Sequence, residues 1–374
     1  MSDELTTLYN LPGIGAAEMT EGENELAIRL GHATDWLSRA QDELSQPAQE
    51  KQLEIPEATG VYRIIQHDMV DSEMPYAIDN PDIQAKFAKL HSLDKRGQLE
   101  GGHSFVVASS AKLGLDGDIL ADSPLTANEK IALYINGGGF IVSDMPILKW
   151  FYIRLSMEVG RRVFVPRYSV GLNHPFPRAL YDVHTTYSYL IHRGFSPGNI
   201  VLIGTSSGGN LAMSLLLLLD MLQQPTVARC ILISPYLDMT MSFASWQRNL
   251  NKCVVLFVPT SSPTSLPRVY YGPTDMSDSD IALQLKHPLL SPIFGNLKDL
   301  PPIQVHVGED EVLLDDAVEL VKRVKCVHPP SRSGSSLAPI KLVTYLGKNH
   351  YSILRGKTQL DMLYHQMREF CDAV

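Results

Sequence analysis

The chain has 374 residues, of which 44% are hydrophobic and 20% are charged. This composition is close to that of ordinary soluble globular proteins, and it excludes collagen-like, coiled-coil and largely disordered chains. At roughly 100–200 residues per domain, the length predicts one large domain or two ordinary ones. The formal net charge is -9 and no block of Lys and Arg is interleaved with aromatic residues, so we exclude nucleic acid as a partner.

The sequence predicts neither a membrane span nor a metal site. The longest apolar run lies within residues 211–222 and is interrupted by Ser214 and Asp220, well short of the roughly 18–20 residues that a membrane helix needs. The first five residues carry two acids where a secretory signal has basic residues, which predicts a cytoplasmic protein. The cysteines form no Cys-x-x-Cys pair and the histidines lack metal-ligand spacing, so we expect no metal and no other cofactor.

The first 125 or so residues lack a clean alternation of strands and helices. Residues 27–44 have helical periodicity, and residues 61–65 and 105–108 are short apolar runs that predict strands. This part of the chain therefore predicts few elements.

From about residue 130 onward, strands and helices alternate in the predicted order of elements. Runs rich in Val, Ile and Leu predict six strands, at residues 131–135, 162–165, 200–203, 230–233, 303–307 and 342–345. Helical periodicity is clearest at residues 180–191, where Gly194 follows as a C-cap glycine. Residues 211–222 predict a helix buried nearly all round, and residues 358–370 an amphipathic one. The alternation is typical of an α/β fold with a mostly parallel central sheet and helices on both faces.

Two stretches show no regular pattern. Residues 239–286 form a long connection between two predicted strands, and residues 327–337 are rich in Pro, Ser, Arg and Gly. Long connections in compact domains are usually functional. We therefore expect the first stretch to help cover a substrate pocket and the second to be a solvated surface loop.

The sequence GTSSGG at residues 204–209 directly follows a predicted strand and precedes a helix that we expect to start near Asn210. So tight a strand-to-helix turn forces its middle residue into a strained backbone conformation, and glycines beside that residue prevent collisions with the neighbouring backbone. This context predicts that Ser206 is a nucleophile exposed at the carboxyl end of the sheet. The alternative is a phosphate-binding or plain connecting loop, which the bare pattern does not exclude.

A serine nucleophile needs a general base and an acid that orients the base, and both occur later in the chain. His350 lies in the loop after the strand at 342–345, and an acid-dense run at residues 309–316 follows the strand at 303–307. Loops at the carboxyl ends of parallel strands meet at one edge of the sheet, so we expect these groups to converge on Ser206. His306, which lies within a predicted strand, is interpreted as structural.

Three consecutive glycines at residues 137–139 follow the strand at 131–135 and Asn136. Each would weaken a helix or strand by roughly 0.5–1 kcal/mol relative to Ala, so three glycines in a row indicate a specific structural requirement. Their use is close approach of the backbone, which lets N–H groups point at the oxygen of a tetrahedral intermediate. A flexible glycine loop is the alternative.

These motifs resemble the hormone-sensitive-lipase-like esterases of the α/β-hydrolase superfamily, whose hallmarks are His-Gly-Gly-Gly and Gly-Asp-Ser-Ala-Gly-Gly. The likeness spans roughly residues 130–370 and includes NHPFP at residues 173–177 and SPYLD at residues 234–238. It implies an α/β-hydrolase fold with a helical cap. In that fold, residues 1–60 would be an N-terminal cap segment and residues 61–374 the catalytic domain, with a cap insert at about 239–286.

The resemblance also implies roles for individual residues. Ser206 would be the nucleophile and His350 the base. Glu311 would be the orienting acid, because EVLLD at residues 311–315 matches the family's Asp-x-Leu-x-Asp pattern with Glu in first place; Asp310 is the alternative acid. The implied oxyanion donors are backbone N–H groups, those of Gly138, Gly139 and Ser207.

The function that the resemblance implies is hydrolysis of a small, apolar carboxylic ester through an acyl-enzyme, as in a short-acyl esterase or deacetylase. The same triad could instead act on an amide or a lactone or in acyl transfer, because fold and triad do not specify the bond. A ligand-binding receptor on this scaffold is a further alternative, and the retained His350 argues against it. Departures from the family pattern, such as Asn136 for His and Thr205 for Asp, bear on substrate preference rather than on reaction type.

Overall fold

The computed structural model describes residues 60–66, 80–95, 103–109, 129–143, 149–170, 174–253, 265–272, 276–328 and 340–372. All of them belong to one compact unit, Glu54–Val374. The helix predicted at 27–44, residues 1–59 of the predicted cap segment and residues 329–337 of the predicted surface loop lie outside the described residues.

Eight strands of the described chain form one sheet, in the order β1-β2-β4-β3-β5-β6-β7-β8. The strands are β1 Gly60–Gln66, β2 His103–Ser109, β3 Ile131–Ile135, β4 Arg162–Arg167, β5 Ile200–Thr205, β6 Arg229–Ile233, β7 Ile303–Gly308 and β8 Ile340–Tyr345. Strands β3 to β8 run parallel to one another, whereas β2 pairs antiparallel with both β1 and β4. The prediction of a mostly parallel central sheet is therefore confirmed, and every predicted strand is present.

The described helices alternate with these strands. They are α1 Pro81–Lys95, α2 Lys149–Val159, α3 Arg178–His192, α4 Ser207–Met221, α5 Ser245–Arg248, α6 Leu266–Tyr271, α7 Asp278–Gln284, α8 Leu314–Val327 and α9 Lys357–Asp372. Helix α8 begins inside the run that the sequence analysis treated as an acid-dense loop. Its first turn carries Asp315 and Asp316, and carboxylates there are favoured by the positive end of the helix dipole.

Helix α4 begins at Ser207, three residues earlier than predicted. Its first turn contains Gly208 and Gly209, which have low helix propensity and conceal the start in the sequence. A Cβ on Gly208 would lie 2.2 Å from the carbonyl oxygens of Ile135 and Asn136. Glycine is required at this position because the helix starts directly against the end of β3.

The core lies in two layers, one on each face of the sheet. Alternate strand residues such as Ala132 and Val201 pack with α2 and α9, whereas Leu133 and Leu202 pack with α3, α4 and α8. Because successive side chains of a strand point to opposite faces, both sets are buried. The prediction of helices on both faces is confirmed.

The described part of the connection from β6 to β7 contains the short helices α5, α6 and α7. Each of these helices has only four to seven residues, which is too short for a regular pattern to be visible in the sequence. Among the residues that the structure describes, no helix is both long enough and apolar enough to cross a bilayer.

Candidate active site

Ser206 occupies the turn between β5 and α4. Its backbone has φ 55° and ψ -121°, a conformation that is rare and strained for a residue with a side chain. The surrounding structure fixes this conformation, because the N–H of Ser206 donates to Ile233 at 2.9 Å and its carbonyl accepts from Gly209 at 2.9 Å and Tyr236 at 3.1 Å. The hydroxyl-bearing residue is half-buried at the carboxyl end of the sheet.

The glycine loop after β3 passes directly beside this turn. A Cβ on Gly137 would lie 2.9 Å from the carbonyl oxygen of Thr205 and 3.0 Å from Cβ of Ser206. Gly138 has φ 131° and Gly139 has φ 62°, both in the region that favours glycine.

The resemblance to the esterase family implies that the N–H groups of Ser207, Gly138 and Gly139 are oxyanion donors. No described residue accepts a hydrogen bond from any of the three. Ser207 is also the first residue of α4, where the helix dipole favours negative charge.

His350 and Ser206 meet although 144 positions separate them in the chain. Nε2 of His350 lies 3.0 Å from Oγ of Ser206, and Nδ1 lies 3.0 Å from Oε2 of Glu311. A carboxylate accepts a hydrogen bond, so Nδ1 carries the proton and Nε2 is left as the acceptor for the serine hydroxyl. The His350 side chain is 13% exposed, which leaves a narrow opening to solvent.

Asn349 shapes the loop that carries this histidine. Its Oδ1 accepts from the N–H groups of Tyr351 at 3.2 Å and Ser352 at 3.1 Å, and its own N–H donates to Oγ of Ser352 at 2.7 Å. The end of β7 packs against the same loop, since a Cβ on Gly308 would lie 2.2 Å from the carbonyl oxygen of Lys348. The position of the imidazole is therefore fixed by hydrogen bonds after His350 in the chain and by packing against β7 before it.

The two candidate acids have different surroundings. Glu311 has a fully buried side chain that faces His350. Asp310 instead forms an ion pair with Lys252 at 2.7 Å, and its side chain is 26% exposed. The structure places Glu311 beside the imidazole, whereas Asp310 is paired with Lys252.

Ser234 was not assigned a role from the sequence, yet its side chain contacts the buried acid. Oγ of Ser234 donates to Oε1 of Glu311 at 2.7 Å, and the N–H of Gly308 donates to the same oxygen at 2.6 Å. Both bonds leave Oε2 to His350. Ser234 directly follows β6, so the rule that carboxyl ends of parallel strands share an edge could have identified it.

Asn136, which stands where the similar family has His, is buried beneath the glycine loop. Its Nδ2 donates to the carbonyl oxygen of Ser143 at 3.2 Å, and its Oδ1 accepts from the hydroxyl of Tyr152 at 2.6 Å. The hydroxyl of Tyr168 donates to the Asn136 carbonyl at 2.7 Å. The amide therefore fixes the start of the loop through both of its polar atoms.

Two buried titratable groups near the sheet edge have shifted pKa values. Burial lowers the pKa of His306 to about 3, and its ring contacts the hydroxyl of Tyr345 at 2.8 Å and Oε1 of Gln304 at 3.1 Å. This neutral histidine fits the structural interpretation. Burial, and then the nearby Asp238 carboxylate, raise the pKa of Asp316 well above its usual value.

The described residues contain no group of three or more His, Cys, Asp or Glu side chains that could hold a metal ion.

A family model described as alpha/beta hydrolase fold matches residues 132–333, which is more than half of the chain. Among curated relatives, an acetyl-hydrolase from Streptomyces hygroscopicus is 30% identical over 194 residues, covering 52% of this chain and 61% of the relative. An esterase from Acinetobacter venetianus is 32% identical over 190 residues, covering 50% of this chain and 59% of the relative. Each match thus spans less than two thirds of the relative's own length.

Solved structures resemble the chain in fold. EstE5, soaked with ethyl alcohol, matches with a TM-score of 0.57 and 24% identity, over 74% of this chain and 83% of its own. An esterase from the bacterial hormone-sensitive lipase family matches with a TM-score of 0.57 and 23% identity, over 72% of this chain and 80% of its own.

Proposed function

Since the chain belongs to the alpha/beta hydrolase fold family, we propose that it is a serine hydrolase that cleaves carboxylic esters of short acyl groups through an acyl-enzyme. Ser206 is the nucleophile, His350 the general base and Glu311 the acid that orients the base. The observation that carries the proposal is the continuous row of two 3.0 Å contacts, from Oγ of Ser206 through the imidazole to the carboxylate.

The first half of the reaction acylates the enzyme. Nε2 of His350 takes the hydroxyl proton of Ser206 as Oγ bonds to the carbonyl carbon of the ester. The carbonyl oxygen becomes an oxyanion, which the backbone N–H groups of Ser207, Gly138 and Gly139 stabilise. When the tetrahedral intermediate collapses, the bond to the alcohol oxygen breaks and that oxygen takes the proton from His350.

The second half releases the acid. Water replaces the alcohol, gives a proton to Nε2 of His350 and bonds to the acyl carbon. Collapse of the second tetrahedral intermediate breaks the bond to Oγ of Ser206 and returns the proton to it. Throughout, Glu311 stabilises the imidazolium that forms in each half, and two hydrogen bonds to its other oxygen keep the carboxylate in place.

Short acyl groups and ester substrates are supported by the names of similar proteins. One curated relative is named acetyl-hydrolase and another esterase. The amine of an amide is a poorer leaving group than the alcohol of an ester, so we expect the same triad to cleave the ester faster.

The proposal is tested by measuring the hydrolysis of p-nitrophenyl acetate and of the matched p-nitroacetanilide by the full chain. We expect hydrolysis of the ester and little or none of the amide. Ser206→Ala should reduce ester turnover by roughly 10⁴–10⁶-fold, because loss of the nucleophile removes the acyl-enzyme route. Its melting temperature should remain close to that of the unaltered protein.

Ser156→Ala is the matched control, because Ser156 is a buried serine of α2 whose Oγ donates to the carbonyl oxygen of Arg161 at 2.7 Å, on the other face of the sheet. We expect this variant to retain turnover. Equal turnover by Ser206→Ala and the unaltered protein would contradict the proposal, as would faster cleavage of the amide.

A further inference from the structure

Helix α6 of the connection between β6 and β7 packs against the glycine loop. The rings of Phe140 and Tyr270 are stacked with their centroids 3.8 Å apart and their planes 15° apart. The N–H of Phe176 donates to the carbonyl oxygen of Tyr270 at 2.6 Å, and the rings of Phe176 and Tyr270 pack edge to face. The helix is therefore held to the end of the glycine loop by ring stacking, and to the segment before α3 by a backbone hydrogen bond and an aromatic contact.

The opposite side of α6 is anchored by Arg268, which is buried. Its Nη1 donates to the carbonyl oxygen of Met276 at 3.0 Å, and its Nη2 forms an ion pair with Asp278. A buried guanidinium with these partners opposes movement of the helix, since movement would break hydrogen bonds to a buried charge. The first residue of the helix, Leu266, thus has a fixed position.

Leu266 lies at the glycine loop itself. A Cβ built on Gly139 would be 3.4 Å from Cδ1 and 3.5 Å from Cδ2 of Leu266, which is ordinary van der Waals contact. Leu266 is half-buried, and it lies beside a glycine whose N–H is a proposed oxyanion donor. An apolar wall of fixed position therefore stands next to the proposed oxyanion site.

The order of the strands places this wall on the side of Ser206 away from His350. Strand β3, which precedes the glycine loop, neighbours β5 on one side, whereas β6, β7 and β8 lie on the other. The leaving alcohol oxygen must lie within reach of His350, because that residue protonates it. The acyl substituent, bonded to the same carbon, then extends toward the glycine loop and α6.

We propose that Leu266 limits the length of the acyl chain that the site accepts, and so determines its preference for short acyl groups. This inference rests on the proposed ester hydrolysis by Ser206. Shortening the side chain opens space for additional methylenes, and enlarging it removes space. A difference of one methylene in an apolar pocket typically changes kcat/KM by roughly 10–200-fold.

The experiment measures kcat/KM for p-nitrophenyl acetate, butyrate, hexanoate and octanoate with the full chain, Leu266→Ala and Leu266→Phe. We expect the ratio of hexanoate to acetate to rise by about tenfold or more in Leu266→Ala and to fall in Leu266→Phe. Leu283→Ala is the matched control, because Leu283 lies on α7 of the same connection and is 70% exposed. Its ratio should equal that of the unaltered protein.

A second substrate series keeps the acetyl group and lengthens the alcohol from ethyl to hexyl. The inference is overturned if the two Leu266 variants leave the acyl ratio unchanged, or if they alter the alcohol series instead. Activity that depends on Ser206 but shows no shift in ratio would refute the role of Leu266 alone. Absence of any Ser206-dependent hydrolysis would refute the proposed function and the role of Leu266 with it.

Discussion

The nucleophile side and the acid side of the candidate site are held by different kinds of contact. Around Ser206, backbone meets backbone, and a Cβ on Gly208 would lie 2.2 Å from two carbonyl oxygens at the end of β3. Around Glu311, side chains form contacts in addition to the backbone N–H of Gly308: Oγ of Ser234 donates to its carboxylate at 2.7 Å, and the amide of Asn249 donates to its carbonyl oxygen at 2.8 Å.

The two parts of the site should therefore tolerate amino-acid substitutions to different degrees. A backbone contact as close as that of Gly208 admits no side chain, so any substitution there moves the whole loop. A side-chain contact can be removed singly while the backbone remains in place. We therefore expect substitution of Gly208 to impair folding, and substitution of single side chains around Glu311 to cause graded losses of activity.

Gly208→Ala tests the close backbone contact beside Ser206. The new Cβ would collide with the carbonyl oxygens of Ile135 and Asn136, and we expect the unfolding free energy to fall by about 3 kcal/mol or more. Gly198→Ala is the control, because its nearest neighbour is Oγ of Ser196 at 3.7 Å; it should change stability by less than about 0.5 kcal/mol. Urea denaturation measures both, and equal stability of the two variants would contradict the comparison.

Replacing Glu311 by Gln should lower kcat by about 10³–10⁴-fold, because a neutral amide neither fixes the imidazole tautomer nor stabilises its protonated form. Asp310→Asn is the control, and it should lose less than about threefold, since its carboxylate faces Lys252 and not His350. Steady-state kinetics with p-nitrophenyl acetate measure both. The reverse ranking would assign the acid to position 310.

Ser234→Ala removes one of two hydrogen bonds to Oε1 of Glu311. A bond to a charged group contributes about 1.5–3 kcal/mol, so we expect kcat/KM to fall by about 10–100-fold with folding retained. The effect should nearly vanish when Glu311 is already Gln, because Ser234 acts as a positioning residue through that carboxylate. A full additional loss in the double variant would show a separate structural role.

Asp316 makes a pH-dependent contribution to stability, and its Oδ1 accepts from the N–H groups of Leu237 at 2.8 Å and Asp238 at 2.9 Å. Burial raises its pKa, so the folded protein keeps a proton that the unfolded chain releases above about pH 4. Stability from this group is thus lost as pH rises toward the folded pKa.

Asp316→Asn removes this pH dependence. The stability of the variant relative to the unaltered protein should rise with pH by up to about 1.4 kcal/mol per pH unit above about pH 4, until the folded pKa is reached. Urea denaturation at pH 5, 6 and 7 measures the difference, in which other titrating groups cancel. A difference that is independent of pH would contradict a protonated Asp316.

Features of the fold that depend on local pattern could be predicted from the sequence. The strand Ile131–Ile135 has the predicted bounds, and the other parallel strands extend only one or two residues further. Helix α8 was missed because its acidic first turn looked like a loop, and the start of α4 was missed because two glycines occupy its first turn. Both starts are fixed by contacts with other elements, which local pattern does not contain.

The candidate site divides in the same way. Ser206 and the glycines beside it leave a sequence signature, because the turn requires particular residue types. Glu311 could be preferred over Asp310 only by resemblance. The two acids are adjacent in one loop, and the sequence pattern does not show which of the two side chains faces His350. The position of Ser234 directly after β6 places it at the edge of the sheet, but nothing in its immediate sequence context indicates that Glu311 is its partner.

Covalent labelling with a fluorophosphonate, located by peptide mass spectrometry, tests the central claim that Ser206, His350 and Glu311 form one nucleophilic site. We expect a single adduct on Ser206, formed far more slowly in His350→Ala and absent from Ser206→Ala. An unlabelled chain, an adduct on another residue, or labelling of Ser206 at the same rate without His350 would contradict it.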